Sequence, residues 1–83
     1  MPRGRPRKPQ AERDAWALFC RGARARLGLS VREMATALGL EGHTRYSEWE
    51  RGSNLPRDRA GVEDAILALL AARRERERGG EGP

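Results

Sequence analysis

The segment Gly39-Leu40-Glu41-Gly42-His43-Thr44-Arg45-Tyr46-Ser47-Glu48-Trp49-Glu50-Arg51-Gly52 dictates the architecture of this 83-residue chain. Gly39 closes one short amphipathic helix, with φ > 0 expected there because a helix end readily turns left-handed at glycine. A second short helix follows, predicted from about His43 to Arg51, with Gly52 as its stop. Tyr46 and Trp49 stand three apart in it and mark a buried face. Upstream, Ser30-Val31-Arg32-Glu33 spells a capping box, in which the serine oxygen accepts a free amide and the glutamate reaches back. Val31, Met34, Ala35 and Leu38 then supply the inner face of the helix that Gly39 ends.

Working outward, Trp16, Cys20, Ala23 and Leu27 recur at helical spacing with Phe19 at the edge, predicting a helix over about Ala11–Leu27 that stops at Gly28. After Ser53-Asn54-Leu55, Pro56 is placed to open a last helix running to about Arg76. Its apolar positions, Val62, Ala65, Ile66, Leu67, Leu69 and Leu70, span more than one core stripe. Leu67 and Leu70 lie off that stripe and are the candidate dimer contacts. The alternating charges of Arg73-Arg74-Glu75-Arg76-Glu77-Arg78 fit a solvated helix end. The fold class expected is all-α, a compact domain of four to five helices.

The two helices around Gly39 resemble the helix-turn-helix of the phage-repressor/Cro-like (XRE-type) DNA-binding family over roughly residues 18–56. Ala35 and Gly39 sit where that family has a small residue and a glycine. The chain departs from it by one extra residue in the turn, around Glu41-Gly42. At the family's usual spacing Arg45 and Glu48 would have to be buried, at heavy cost. The shifted register buries Tyr46 and Trp49 instead. The resemblance implies that the second helix enters a DNA major groove, with His43, Thr44, Arg45, Ser47 and Glu48 near base edges. Arginine can be bidentate to guanine, threonine can meet a thymine methyl, and glutamate can accept from cytosine. Ser30, Arg32 and Arg51 are the phosphate candidates of this body. The resemblance also implies a structural pair between Arg24 and Glu50, and Val31 stands where relatives often carry a glutamine.

At the N-terminus, Pro2-Arg3-Gly4-Arg5-Pro6 followed by Arg7-Lys8-Pro9 resembles the AT-hook of high-mobility-group A proteins. Gly4 lets the backbone lie on a groove floor. Arg3 and Arg5 can follow a narrow A·T minor groove, while Arg7 and Lys8 suit flanking phosphates. A generic basic tail is the plainer alternative. Charge distribution supports the arm as a polyanion handle. Residues 1–10 hold four bases and no acid, residues 11–72 hold nine of each sign, and the whole chain carries +5. The expected domains are a disordered arm over 1–10, the DNA-binding body over 11–76, and a disordered tail over 77–83.

Composition narrows the function. One cysteine precludes an intramolecular disulfide, and one cysteine with one histidine argues against a zinc site. Cys20 is expected to be a small core residue. No nucleophile–base pair or phosphate-cradling loop is visible, so the expectation is a non-enzyme without cofactor, metal or small-molecule ligand. No apolar run spans a membrane, and a cytoplasmic, nucleoid-associated protein is expected. The expected function is a sequence-specific double-stranded DNA-binding transcriptional regulator. It would be a repressor or autorepressor of phage or mobile-element type, for example of an anti-CRISPR operon. It is expected to act as a homodimer on an inverted repeat with an A·T-rich flank. An antitoxin-type protein-binding autoregulator and an architectural nucleoid-type protein are the alternatives.

Overall fold

The computed structural model describes residues 8–80, with side chains from Gln10 to Arg78. Four helices follow in order: α1 (Lys8–Leu27), α2 (Val31–Ala37), α3 (Thr44–Glu50) and α4 (Arg59–Gly80). No strand occurs among the described residues. The all-α class is as expected. The expected arm residues Arg3, Gly4, Arg5 and Arg7 lie outside the described residues.

Two boundaries differ from the expectation at the helix starts. α1 begins at Lys8 rather than Ala11, so Lys8-Pro9-Gln10 belong to its first turn. Proline is tolerated there because first-turn amides have no partner within the helix. Gln10 then holds the turn, its Nε2 donating to Asp14 (2.8 Å) while its Oε1 accepts from Arg13 (2.8 Å). At the other end Pro56 does not open α4. Asp58 does, its carboxylate accepting from the Gly61 amide at 3.1 Å and its carbonyl from Val62 at 3.0 Å. Carboxylates are strong N-caps, and this one sits two residues past the proline.

α4 also runs beyond Arg76, to Gly80. Its last turns carry the ion pairs Arg73–Glu77 and Glu75–Arg78, exposed pairs worth about 0.2–0.5 kcal/mol each in a helix.

α1 is the element the others are built on: it contacts both α3 and α4, while α2 packs on α3. Trp16, Cys20, Ala23 and Leu27 of α1 meet Met34 and Ala35 of α2, Tyr46 and Trp49 of α3 and Ile66 of α4 in one buried cluster. Each large side chain so buried contributes about 1.5–3 kcal/mol relative to exposure. The aromatic centre is oriented as well as buried. Trp49 meets Trp16 and Tyr46 edge-on, at centroid separations of 6.0 and 5.8 Å, geometries that add about 0.5–1.5 kcal/mol per pair.

The chain reversal after α2 needs a glycine for a backbone reason. Gly39 has φ 77°, and the amides of Gly39 and Leu40 bond back to the carbonyls of Thr36 and Ala35, both at 3.0 Å. Those two bonds satisfy carbonyls that α2 leaves open. The turn before α3, with Glu41 and Gly42, follows directly.

Candidate nucleic-acid interface

The placement of α3 depends on a clamp of α1 side chains at its C-terminal end. Arg24 grips Glu50 with both arms of its guanidinium, Nε to Oε2 at 2.7 Å and Nη2 to Oε1 at 3.1 Å. Its remaining nitrogen, Nη1, donates to the Leu29 carbonyl at 3.1 Å. Arg21 donates to the backbone carbonyl of Glu50 at 2.6 Å, one of the carbonyls a helix end leaves without an internal partner. The Tyr46 hydroxyl donates to the Cys20 carbonyl at 3.0 Å. These contacts fix both the position and the rotation of a seven-residue helix that is too short to be stable alone.

Fixing the rotation decides what α3 presents. Tyr46, Trp49 and Glu50 are buried, so at 100° per residue the opposite side carries Thr44, Glu48 and Arg51. Arg45 and Ser47 flank that side. Thr44, Arg45 and Arg51 are exposed, while Ser47 and Glu48 are half-buried. His43 immediately precedes α3, exposed, and its side chain makes no cap hydrogen bond. Tyr46 and Trp49 are thus inside and Arg45 outside, as their spacing predicts.

Thr44 and Arg45 border a hollow of about 420 Å³ with the Gly39–Gly42 turn. Arg45 and Glu48 also share a wider groove of about 630 Å³ with Asn54 and Arg57. Two of these contributors carry no signal in the sequence. Asn54 donates to Glu48 Oε1 at 2.7 Å, holding that carboxylate in place and leaving Oε2 to accept elsewhere. Arg57, exposed in the loop before α4, brings a second guanidinium into the groove. Both reach the site because the chain folds back after Gly52, a long-range consequence that periodicity does not show.

The other sequence-stipulated positions divide. Ser30 and Glu33 form the reciprocal cap, at 3.0 and 2.9 Å, so the Ser30 oxygen is engaged in starting α2. Arg32 is exposed on α2, and Lys8 is the first residue of α1. Leu67 is 46% exposed. Leu70 is half-buried and faces a groove between α4 and α1. Leu18, which is not among those positions, is 63% exposed on α1.

Cys20 is fully buried. Burial, reinforced by the negative charge of Glu50 and only partly offset by its hydrogen bond with Tyr46, pushes the thiol up to about 12. Burial likewise raises the Tyr46 phenol. Neither group is available as a nucleophile at neutral pH. Among the described residues no cluster of three metal-ligating side chains occurs, and no helix is long and apolar enough to cross a membrane. Compared with protein-family models, curated proteins and solved structures, the chain has no match.

Proposed function

We propose that the chain is a sequence-specific double-stranded DNA-binding regulator of transcription, a repressor built on a phage-repressor-like helix-turn-helix formed by α2 and α3. The observation that carries this reading is the clamped α3. Arg21 and Arg24 hold its C-terminal end against α1, and its free side offers Thr44, Arg45, Glu48 and Arg51 together. Base reading needs side chains held in a fixed frame, because a bidentate arginine or a carboxylate acceptor discriminates only in the right geometry.

In this reading Arg45 and Thr44 contact bases, and Glu48, oriented by Asn54, accepts from cytosine. Arg51 and Arg32 bind phosphate. Arg3, Gly4 and Arg5 enter an adjoining A·T-rich minor groove, with Arg7 and Lys8 on phosphates. Two copies bind an inverted repeat, with half-site centres about 34 Å apart or at a multiple of that. In this reading the chain is an autorepressor of a phage or mobile element, acting in the nucleoid.

The test is selection of binding sites from genomic and random DNA at stated salt, since affinity without a salt concentration is uninterpretable. A single enriched inverted repeat bound at least about 10³-fold more tightly than random duplex is the expected result. A ratio near unity would replace this reading with an architectural one.

A further inference from the structure

The outward side of α1 carries a second apolar stripe that no described part of the chain covers. Ala11, Ala15, Leu18 and Gly22 succeed one another at spacings of four, three and four, and all are exposed. That is one face of a helix, distinct from the buried stripe. Next to its C-terminal half α4 contributes Leu70, and Leu18, Phe19, Gly22 and Leu70 line an open groove of about 850 Å³ bordered by Arg26, Arg73, Arg74 and Glu77.

Gly22 is the informative residue of that stripe. It lies inside α1, where glycine disfavours the helix relative to alanine. A Cβ added there would meet nothing within 4 Å, and its φ is not positive. Neither backbone conformation nor packing within the described residues calls for a glycine. Without a side chain the position leaves room for another helix to come close.

The charges on this face are arranged to match their own reversal. Glu12 lies seven residues before Phe19 and Arg26 seven after it, so all three share one side of α1. Neither Glu12 nor Arg26 has an ion-pair or side-chain hydrogen-bond partner among the described residues. A second α1 crossing antiparallel near Phe19 brings Glu12 of each copy toward Arg26 of the other, twice over. A two-fold interface requires this kind of self-complementarity.

We propose that this face joins two copies of the chain, α1 packing antiparallel on the second copy's α1 with Leu18 of each seated over Gly22 of the other. The proposal deepens the dimeric reading above by locating its interface on α1, with Leu70 at the edge and Leu67 outside it. It is tested without DNA, so its failure is separable from that of base reading.

Sedimentation of the full chain at low salt is the experiment, with thermal melting showing that each variant folds. The wild type is expected to dimerise, Leu18→Glu to be monomeric, and Gly22→Leu to be monomeric with an undiminished melting temperature. Glu12→Arg and Arg26→Glu each set like charges together at two places and should weaken self-association by about tenfold. An equimolar mixture of those two variants restores opposite charges at both places and should recover wild-type affinity. A wild type that is monomeric at every concentration overturns the proposal. So does a mixture no tighter than either variant alone, or dissociation by Leu67→Glu but not by Leu18→Glu.

Discussion

Arg24 and Glu50 meet side-on across the α1–α3 contact, with two hydrogen bonds of 2.7 and 3.1 Å between a guanidinium and a carboxylate. Glu50 is 8% exposed, and its negative charge sits at the C-terminal end of α3, where the helix dipole disfavours it. Arg24 offsets both penalties, and the carboxylate in turn holds the guanidinium in its charged form. The pair is therefore a structural hinge pin for the candidate recognition helix rather than a surface ornament.

Removing one member should show this. Arg24→Ala is expected to lower stability by about 1–3 kcal/mol, because it leaves a buried carboxylate without its partner. Arg26→Ala, which removes an exposed charge with no ion-pair partner among the described residues, should change stability by less than about 0.5 kcal/mol. Urea midpoints measured in dilute protein compare the two, and equal midpoints would contradict the role assigned to the pair.

The exposed side of α3 gives a second contrast. Arg45→Ala should cost about 1–3 kcal/mol on the preferred site and relax selection at one or two base pairs. Arg51→Ala should weaken all sequences alike and reduce the salt slope by about 1. Uniform loss for Arg45→Ala, with base preference intact, would show that the proposed register on DNA is wrong. Asn54→Ala belongs to the same measurement: freeing Glu48 should blunt preference where that carboxylate acts, without altering the salt slope.

Alkaline pH should unfold the domain through two groups on the α1–α3 contact. Cys20 is raised from an ordinary value of 9.0 to about 12, and Tyr46 is raised from 10.0. The folded state thus keeps protons that the unfolded chain releases, so stability is full below about pH 9 and falls as pH rises toward 12. Each group contributes a slope of up to about 1.4 kcal/mol per pH unit inside its window. Urea midpoints between pH 8 and 11 should fall, with Cys20→Ala delaying the onset by about one pH unit. A midpoint constant over that range would mean that neither group is desolvated on folding.

Much of this body is legible because the deciding signals are local. Ser30 and Glu33 sit three apart and cap α2 reciprocally. Gly39 and Gly52 end helices where the backbone must go left-handed. Tyr46 and Trp49 fix the rotation of α3, since the alternative register buries Arg45 and Glu48. The signals that misplace boundaries compete at short range: Pro56 and Asp58 are both helix openers, and the acid two residues later captures the amides. Pro9 looks like a boundary but is harmless in a first turn. Asn54 and Arg57 gain their positions from the packing of α4 and the loop after Gly52. Nothing at their own positions in the sequence distinguishes them from ordinary surface residues.

The residues ahead of α1 give the last contrast, between a minor-groove reader and a plain cationic tether. Gly4 lies four residues ahead of Lys8, and an extended chain carries it about 12 Å at about 3.1 Å per residue. That suffices to pass from a major-groove face to the neighbouring minor groove only if α1 begins close to the DNA backbone, so the A·T preference should be confined to base pairs adjoining the half-site. Gly4 separates the two roles. Gly4→Ala keeps every charge but adds a methyl where a hook backbone must touch the groove floor. On an operator with A·T flanks it should therefore lose affinity, and on one with G·C flanks it should lose almost none, because the guanine amino group already blocks that floor. Deleting residues 2–7 removes three arginines and should lower the salt slope by up to about 3, at about 0.9 per phosphate neutralised. Titrating wild type and Gly4→Ala against two operators that differ only in their flanks decides the matter. Equal losses on both would leave these residues as charge alone, since charge is indifferent to the floor of the groove.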